Sequence, residues 1–508
     1  MGKKFYITTT LPYVNAEPHI GFALEIIQAD AIARYRRLCG DKVFFNTGTD
    51  EHGVKIYRKA LEAKMDPKKY CDEYAAKFDA LKTGLNLSYN KFIRTTDKDH
   101  IAAAQEFWRR CAAKGDIYKK NYKLKYCVGC ELGKTESELN EEGRCPIHPT
   151  MPMESIEEEN YFFKFSTYQK SLLKLYEKNP QFVLPEHRLT EMIEFTKKGL
   201  EDFSISRLKA KMPWGIPVPD DPDHVMYVWF DALVNYVSTL GWPQEKGNFS
   251  KFWPVVQTAG KDNLRQQSNM WQGMLMSAGL LPSKQILIHG FITSNGQKMS
   301  KSFGNVVDPF AVVKEYGVDA LRYYLLREIP TDDDGDFNVE RFRIVYDSDL
   351  ANNLGNLLSR TLAMTEKYCE GKVPARVQHK GAMEQMDVAW RTMEAAMGQF
   401  NLKKAIEEGV IEVLNAANLF VETKKPWVLA KAGDTQKLHE VLYVLLEGLR
   451  QVSWLLEPFI PGSAAKMREQ LGVTETEKEG KALHKWGRLK QGTVVKKGES
   501  LFPRLASP

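Results

Sequence analysis

The chain has 508 residues, of which 43% are hydrophobic and 27% are charged, as in an ordinary soluble globular protein of two to four domains. Its net charge of +6 permits a nucleic-acid partner without demanding one, and its seven cysteines exclude a disulfide scaffold and indicate a reducing compartment. Because no apolar run reaches the ~18 residues of a membrane span and no signal-peptide pattern opens the chain, we expect a cytoplasmic protein with no membrane partner.

The first predicted elements are a β-strand in residues 5–14, a turn at 15–18 and a helix that begins at His19. A strand, a turn and a helix N-terminus form a phosphate-binding arrangement, because free backbone N–H groups and the positive helix end face the ligand. Gly21 lets a ligand approach the backbone, and His19 can donate a hydrogen bond to a phosphate oxygen. A purely structural histidine is the alternative.

A second strand is predicted at residues 42–48, and it ends next to Asp50. Acidic groups at the carboxyl end of a parallel strand lie where open α/β sheets bind ligands, so Asp50 is a candidate partner for an amino group. The alternative is that Asp50 or Glu51 caps the following helix. Residues 54–115 are predicted to be helical, with a core that includes Leu61, Tyr74, Phe78, Leu81, Phe107 and Trp108.

Residues 116–225 break this rhythm and contain a candidate metal site. Cys127 and Cys130 form a C-x2-C pair, and Cys145 and His148 form a C-x2-H pair. Two such knuckles supply the four tetrahedral ligands that Zn²⁺ prefers. Four protein ligands leave no position for a bound water, so the predicted zinc is structural and not catalytic. Unligated, reduced cysteines are the alternative.

Alternation of strand and helix patterns resumes at residue 226. Trp229, Ala232 and Tyr236 share a helical face, which is either ordinary core or one wall of a ligand pocket. A later predicted strand ends at Gly260. Asp262 follows it in a position that suits either a ribose hydroxyl or a helix cap.

A buried strand at residues 286–292 leads into a loop with Lys298 and Lys301, which two glycines keep flexible. The two ammonium groups can bind a polyphosphate as point charges, and a solvated basic turn is the alternative. The segment around His19 favours the phosphate interpretation, because the histidine and the lysines would then flank one triphosphate.

After residue 345 the pattern is helical throughout. A leucine stripe predicts one buried face, formed by Leu350, Leu354, Leu357, Leu358 and Leu362. Asn352, Asn356 and Arg360 form a separate polar face that can read base edges of unstacked RNA, unless it is an ordinary solvated face. Trp427 follows two lysines and can stack on a base or belong to the core. The tail from residue 478 onward is predicted to be a loosely packed arm.

Together these segments resemble class I aminoacyl-tRNA synthetases over nearly the whole chain, and specifically the methionyl-tRNA synthetase family. Residues 18–22 (PHIGF) resemble the family's HIGH signature, and residues 298–302 match its KMSKS signature in full. Residues 11–15, 48–53 and 227–232 also resemble segments of this family, in the family's order.

The resemblance implies an α/β fold in which a Rossmann-like, doubly wound parallel sheet is split by a zinc-binding connective insertion. An all-α anticodon-binding domain would follow. The implied boundaries are 1–115 and 226–295 for the two halves of the catalytic domain, 116–225 for the insertion, 296–345 for the KMSKS loop and stem-contact region, and 346–508 for the helical domain and tail.

In the implied reaction, L-methionine and ATP form methionyl-adenylate and pyrophosphate, and methionine then passes to the 3′ end of tRNA(Met). His19 and Gly21 would act on the phosphates together with Lys298 and Lys301, and Mg²⁺ would share the charge of the leaving group. No covalent enzyme intermediate is involved, so catalysis would rest on positioning and electrostatic stabilisation.

The resemblance also implies the remaining contacts. ATP would bind through Tyr13, His19, Gly21, Gly260, Asp262, Lys298 and Lys301, with Asp262 on the ribose. The methionine pocket would consist of Leu11, Tyr13, Asp50, Trp229, Ala232 and Tyr236, with Asp50 on the α-ammonium group. The anticodon would be read by Asn352, Asn356, Arg360 and Trp427, and one structural Zn²⁺ would be held by Cys127, Cys130, Cys145 and His148.

The chain departs from the family pattern in a few places. Phe22 removes a hydrogen-bond donor from the fourth HIGH position, and Gln266 and Gln267 stand where the family usually has an aromatic residue and a histidine. One complete zinc ligand set and no extra C-terminal tRNA-binding domain are present, so one zinc and a monomer are expected. The alternatives are a class I synthetase for another amino acid, such as cysteine or leucine, and a tRNA-binding paralogue that has lost catalysis.

Overall fold

The structure is a computed structural model of the chain, and it describes residues 2–130, 132–134, 138–244, 246–299, 305–473 and 483–505. Lys301 of the predicted phosphate-binding loop lies outside these residues. Among the helices in these ranges, none combines the length and apolar character that crossing a bilayer requires.

A six-stranded parallel sheet forms the centre of the molecule. The strands in chain order are β1 (Lys4–Thr8), β2 (Lys42–Thr49), β3 (Lys91–Arg94), β4 (Ile117–Cys127), β5 (Leu132–Lys134), β6 (Glu154–Phe163), β7 (Val183–Leu184), β8 (Phe203–Ser204), β9 (Ser206–Leu208), β10 (Pro217–Val218), β11 (Asp221–Met226), β12 (Val256–Gly260), β13 (Gln285–His289), β14 (Ile292–Ser294), β15 (Gln297–Lys298) and β16 (Gly335–Phe337). The central order is β3-β2-β1-β12-β13-β7. The strand order reverses between β1 and β12, where open α/β sheets bind ligands beyond the carboxyl ends of their strands.

Helices cover this sheet and build the C-terminal third of the molecule. They are α1 (Ile20–Leu38), α2 (Val54–Glu62), α3 (Pro67–Asp79), α4 (Leu81–Gly84), α5 (Lys98–Ala113), α6 (Gln169–Lys178), α7 (Glu186–Lys197), α8 (Val228–Ala232), α9 (Asn235–Ser238), α10 (Asn248–Phe252), α11 (Trp271–Ser277), α12 (Pro309–Tyr316), α13 (Val318–Arg327), α14 (Val339–Val345), α15 (Leu357–Cys369), α16 (Lys380–Gly398), α17 (Leu402–Ile406), α18 (Glu412–Lys424), α19 (Pro426–Lys431), α20 (Thr435–Leu455) and α21 (Pro461–Gln470). Gln266–Met270, Tyr346–Asn356 and Glu407–Ile411 are π-helical.

Several local predictions need correction. The first strand ends at Thr8, because the backbone N–H of Thr10 donates to the Glu25 carboxylate at 2.6 Å and leaves the ladder. The segment 54–115 contains the edge strand β3 as well as helices. Leu61 was predicted to be core but is 55% exposed, because α2 buries the face of Ile56 and Ala60 instead.

The insertion after α5 contains a separate four-stranded antiparallel sheet. Strands β4 and β6 pair from Ile117 opposite Phe163 to Tyr126 opposite Glu154, and the sheet order is β5-β4-β6-β8. The predicted insertion of 116–225 is not uniform, because Val183–Leu184 leaves it to pair with β13 at the edge of the central sheet. In chain order, the insertion therefore lies between β3 and β12 of the central sheet and itself contributes β7 to that sheet.

The helical domain buries the predicted leucine stripe, whose five members are at most 2% exposed. The tail is more ordered than predicted: from residue 483 to 505 it contributes buried side chains to the same core, namely Leu483, Trp486, Leu489, Val495 and Phe502. Residues 478–482 of the predicted arm lie outside the described chain. The apolar residues spaced among the lysines therefore pack this segment against the core of the helical domain.

A buried carboxylate anchors the tail. Glu447 and Arg450 on α20 form a fully buried ion pair with an N–O distance of 2.8 Å. The Glu447 carboxylate also accepts hydrogen bonds from the backbone N–H groups of Gly487 and Leu489, at 2.9 and 3.0 Å. These bonds satisfy a charge that would be costly to bury alone.

A second buried ion pair joins the central sheet to the helical domain. Arg322 on α13 lies 2.8 Å from Asp30 on α1, and both side chains are fully buried. The guanidinium also donates to the carbonyl groups of Pro458 and Phe459, just after α20, at 3.2 and 2.8 Å. Arg322 thus holds α1 and the end of α20 against each other.

Candidate active site

The N-terminus of α1 lies at the carboxyl edge of the central sheet. His19 is the N-cap residue, and its Nδ1 accepts a hydrogen bond from the backbone N–H of Gly21 at 3.1 Å. A Cβ on Gly21 would lie only 3.0 Å from the His19 ring, so glycine is needed for this cap. The imidazole is exposed, as a phosphate ligand would require.

The chain on both sides of the lysine loop contacts this helix N-terminus. The backbone N–H of Ile20 donates to the carbonyl of Val307 at 3.1 Å. On the other side, Ile292 of β14 lies 3.5 Å from the position of a Cβ on Gly21. The backbone of Lys298 pairs with Thr293 in the β14–β15 hairpin, which leads into the loop.

Phe22, the departure from the HIGH pattern, is part of the packing of α1. Its ring makes an edge-to-face contact with Phe78 on α3, with centroids 5.4 Å apart. The fourth position of the motif therefore supplies an apolar contact between helices.

Asp50 lies beside Tyr13 at the end of β2. The two residues form a parallel bridge, with the backbone N–H of Asp50 donating to Pro12 at 3.0 Å and that of Val14 donating to Asp50 at 3.3 Å. The Asp50 side chain is only 3% exposed, while Leu11 and Tyr13 are half-buried. This bridge brings the two predicted segments into one wall.

The helix-cap alternative for Asp50 and Glu51 is wrong. Gly53 is the N-cap residue of α2, and no side chain caps it. Glu51 is fully buried and accepts two hydrogen bonds from Arg94, at 2.5 and 2.8 Å. Arg94, on the neighbouring edge strand, therefore balances the charge of Glu51, which leaves Asp50 as the candidate for binding an amino group.

The second wall comes from α8 and α9. Ala232 and Tyr236 are buried, at 7% and 1% exposure, and Trp229 is half-buried with no hydrogen-bond partner for its Nε1 among the described residues. The phenol of Tyr6 donates to the carbonyl of Tyr236 at 2.9 Å and fixes its backbone. Burial raises the pKa of Tyr236, so its phenol stays neutral.

Gln267 belongs to a network of uncharged groups beneath this wall. Gln257 Nε2 donates to Gln267 Oε1 at 2.7 Å, and the hydroxyl of Ser283 donates to Gln257 Oε1 at 2.6 Å. These bonds orient both amides and turn the Gln267 donor away from Gln257. Gln266 is buried, and its Oε1 has no hydrogen-bond partner among the described residues.

Gly260 and Asp262 follow β12 at the same edge. A Cβ on Gly260 would lie 2.7 Å from Asp262 Oδ1, so the carboxylate folds back over the strand end. Gly260 is the N-cap of the short 3-10 turn Lys261–Asn263, without a side-chain cap, so Asp262 is not a helix cap.

Glu25 and His289 form a buried pair that the sequence analysis did not identify. His289 Nε2 lies 3.0 Å from Glu25 Oε2, and Thr10 donates to the other carboxylate oxygen at 2.6 and 2.7 Å. Burial would lower the pKa of His289, but the Glu25 carboxylate raises it above its ordinary value. A glutamate within the otherwise apolar face of α1 was the signal that could have revealed this pair.

A second buried cluster also escaped the sequence analysis. Asp231 accepts hydrogen bonds from His52 Nδ1 at 2.7 Å and from His100 Nε2 at 2.9 Å, and the other nitrogen of His100 lies 3.0 Å from Ser238 Oγ. His52 and Asp231 adjoin predicted site residues, and a carboxylate inside an apolar helix was the available signal.

The four predicted metal ligands meet in one place. The ligand atoms of Cys127, Cys130, Cys145 and His148 lie within 4.8 Å of one another, with Cys130 Sγ 3.5 Å from Cys145 Sγ and 3.3 Å from His148 Nδ1. Tetrahedral Zn²⁺ with bonds of about 2.3 Å would separate sulfur ligands by about 3.8 Å, so the donor set fits that ion. A Cβ on Gly129 would lie 2.4 Å from the His148 ring, which explains the glycine in the knuckle.

The predicted RNA-reading side chains lie on one part of the helical domain. Asn352 and Asn356 are exposed in the π-helical segment before α15. The guanidinium of Arg360 lies 5.9 Å from the centroid of the half-buried Trp427 ring and donates to Glu422 at 2.9 Å. The structure therefore brings Arg360 and Trp427 together and leaves both amides accessible.

Comparison with known proteins agrees with this geometry. The family model described as "tRNA synthetases class I (M)" matches residues 5–152 and 134–362, and that of the "Anticodon binding domain of methionyl tRNA ligase" matches residues 372–507. A phosphate-type helix N-terminus at the switch point of a parallel sheet, followed by this helical domain, defines a class I aminoacyl-tRNA synthetase.

Relatives of known function identify the family. Methionine–tRNA ligases of Thermotoga maritima and Synechocystis are 43% and 41% identical over 99% of this chain, which covers 80% and 98% of those proteins. The Mycobacterium tuberculosis methionyl-tRNA synthetase in complex with methionyl-adenylate superposes with a TM-score of 0.95 at 39% identity, covering 99% of this chain and 100% of that one. The chain belongs to the methionyl-tRNA synthetase family. The predicted family and fold class are therefore confirmed.

Proposed function

We propose that the protein is a methionine–tRNA ligase that activates L-methionine with ATP to methionyl-adenylate and pyrophosphate, and then transfers methionine to the 3′ end of tRNA(Met). The observation that supports this most is the backbone bond between Ile20 and Val307, which holds the segment after the lysine loop against the His19 cap. The names of the relatives point to the same reaction.

Methionine would bind between the two walls of the site. The buried Asp50 carboxylate would hold the α-ammonium group, and Leu11 and Tyr13 would cover that end of the substrate. Trp229, Ala232 and Tyr236 would surround the thioether, since a flexible sulfur-containing side chain packs favourably against aromatic rings. A water-poor pocket of this kind strengthens the pairing of the ammonium group with Asp50.

ATP would enter as its Mg²⁺ complex and lie along the switch point. Asp262 would bind the ribose beside Gly260, and Tyr13 and Gly21 would line the nucleotide. His19, Lys298 and Lys301 would stabilise the negative charge that moves onto pyrophosphate as the methionine carboxylate attacks the α-phosphate. Losing one such contact typically costs about 10²–10³ in rate.

The metal site would hold one structural Zn²⁺ through Cys127, Cys130, Cys145 and His148. The support is the donor set and its separation, which match four-coordinate zinc. The knuckle also contacts α2 of the catalytic domain, because Lys55 donates to the carbonyl of Gly129 at 2.5 Å.

Asn352, Asn356, Arg360 and Trp427 would read the anticodon of tRNA(Met). Exposed amides, a guanidinium and an indole within one surface are the groups that bind unstacked bases. We also propose the domain boundaries predicted from the sequence, with 183–184 assigned to the central sheet. Light scattering would test the proposed monomer, and cell fractionation the proposed cytoplasmic location.

The decisive experiment is methionine-dependent ATP–pyrophosphate exchange, followed by charging of a tRNA(Met) transcript. We expect exchange with methionine but not with cysteine or leucine. Exchange with another amino acid would move the protein to a different class I specificity, and tRNA binding without any exchange would favour the non-catalytic paralogue.

Two variants separate the halves of the reaction. Lys301→Ala should nearly abolish exchange without changing the thermal melting of the protein. Trp427→Ala should weaken tRNA charging and leave exchange intact, and equal losses in both assays would contradict its role on the anticodon.

A further inference from the structure

We propose that Asp231 is a positioning residue for methionine: its carboxylate, shared by His52 and His100, fixes the distance between the ammonium-binding end and the side-chain end of the pocket. This inference rests on the proposed function and assigns a role to a residue that touches no substrate in that proposal.

The side chains of Asp231, His52 and His100 form a buried hydrogen-bonded cluster. Asp231 and His100 are fully buried and His52 is 5% exposed. Burial would raise the pKa of Asp231, but the two histidines lower it below its ordinary value, so the group is a carboxylate without a proton to donate. Both imidazoles must therefore be the donors, His52 through Nδ1–H and His100 through Nε2–H.

Each member of the cluster belongs to a different element of the site. His52 follows Asp50 by two residues, and its own backbone N–H lies 3.5 Å from Asp50 Oδ1. Asp231 lies in α8 between Trp229 and Ala232, and His100 lies in the first turn of α5. One carboxylate therefore ties the end of β2 and the wall of α8 to the supporting helix α5.

The direction of the Asp231 side chain fits support from behind the pocket. In a helix, residues three apart share a face, so Trp229 and Ala232 point to one side of α8 and Asp231 points away from that side. A second link joins β2 to α9, where Asn46 donates to Asn235 at 3.3 Å and accepts from the Thr239 hydroxyl at 2.8 Å. All three of these groups are uncharged, so the charge-assisted bonds of Asp231 are the stronger constraint.

The consequence is selective for one substrate. The wall that Asp231 holds contacts methionine in the proposed site, whereas the proposed ATP contacts lie along β12, the α1 N-terminus and the lysine loop, with Tyr13 as the one residue shared with methionine. A looser contact between α8 and β2 would therefore weaken the binding of methionine more than the binding of ATP or tRNA.

The test is Asp231→Asn, which keeps the shape and replaces one acceptor oxygen with an amide NH₂ that faces an imidazole N–H. We expect the KM for methionine in the exchange assay to rise about tenfold, as for loss of a hydrogen bond to a charged group, and the KM for ATP to stay within about twofold. Asp99→Asn is the matched control, because it makes the same change at an exposed aspartate next to His100 in the first turn of α5 and should leave both KM values unchanged.

A second pair of variants decides the matter if Asp231→Asn does not fold. His100→Gln retains an N–H donor near the position of Nε2 and should keep the KM for methionine near the wild-type value, while His100→Leu should raise it. An unchanged KM in Asp231→Asn or His100→Leu would overturn the proposal, as would equal rises for methionine and ATP. The wild type is measured first: absence of methionine-dependent exchange there would refute the proposed function, whereas wild-type exchange with unaffected variants would refute only the role of Asp231.

Discussion

At the scale of single residues, His19 has one observed role and one proposed role, which substitutions can separate. Its Nδ1 caps α1 by accepting from the backbone N–H of Gly21, and its exposed ring would bind the phosphates in the proposed reaction. The sequence indicated the second function from the motif, but the cap became visible only in the coordinates.

His19→Asn should retain a cap acceptor but lose the ring donor. We expect thermal stability close to that of the wild type and a fall of about 10²–10³ in the exchange rate, the usual cost of removing one stabilising donor. His19→Ala should lose both functions and also lower stability by about 1 kcal/mol. Equal activity in the wild type and the asparagine variant would exclude a role of the ring on the phosphates.

The Glu25–His289 pair predicts a pH dependence of stability. The pKa of His289 is raised in the folded state, so the stabilisation is fully present below its ordinary value of about 6.5 and is lost as pH rises through the folded value. Urea unfolding between pH 6 and 9 should show this loss in the wild type and a smaller loss in Glu25→Gln. Glu62→Gln, at a carboxylate 62% exposed, should follow the wild type.

At the scale of elements, hydrophobic periodicity correctly predicted the segments whose structure depends only on which face is buried. It failed where a side-chain hydrogen bond changes the course of the backbone. The leucine stripe and the strand–turn–helix at His19 were predicted correctly. The end of β1 was not, because a glutamate 15 residues away accepts the N–H of Thr10. The edge strand β3 and the exposure of Leu61 depend on which neighbours pack there, and sequence patterns do not contain that information.

The metal knuckle should behave as one element. Purified protein should contain about one zinc per chain, and Cys145→Ser should lose the metal and lower thermal stability, because binding free energy contributes to folding. Cys39→Ser, at an exposed cysteine outside the cluster, should keep the zinc and the stability. Full stability of the Cys145 variant without metal would contradict a structural role.

The anchor between α20 and the tail gives a prediction about the helical domain. Glu447→Gln should lower the free energy of unfolding by about 3–5 kcal/mol, because it leaves Arg450 as a buried and incompletely paired charge. Glu384→Gln, at an exposed glutamate on α16, should change it by less than about 1 kcal/mol. Urea unfolding followed by circular dichroism measures both, and similar midpoints would argue against the anchor.

At the scale of the whole molecule, Arg322 links the catalytic sheet to the helical domain. Arg322→Met should lower stability, because the fully buried Asp30 carboxylate would keep Arg34 but lose one of its two cationic partners. Asp30→Asn should lower it as well, since Arg322 would then be a buried cation beside a neutral amide. Thermal melting of both variants and the wild type tests this, and an Arg322→Met variant as stable as the wild type would contradict it.

Much of the architecture could be predicted because motifs and helical periodicity are local properties. The Arg322–Asp30 ion pair could not, because the two residues are far apart in sequence and neither lies in a motif. His52, His100 and Asp231 are also far apart in sequence, and only the folded chain brings them together. The folded structure therefore reveals polar contacts between distant residues that sequence patterns do not predict.

The Glu447 anchor also has a consequence for biosynthesis. Its last amide partner, Leu489, lies 42 residues further along the chain. During synthesis, α20 leaves the ribosome well before that partner. In the nascent chain the Glu447–Arg450 ion pair therefore lacks its hydrogen bonds from the tail, and the core around it is incomplete. We expect the helical domain to fold late and to be the part of the nascent chain that depends most on a chaperone.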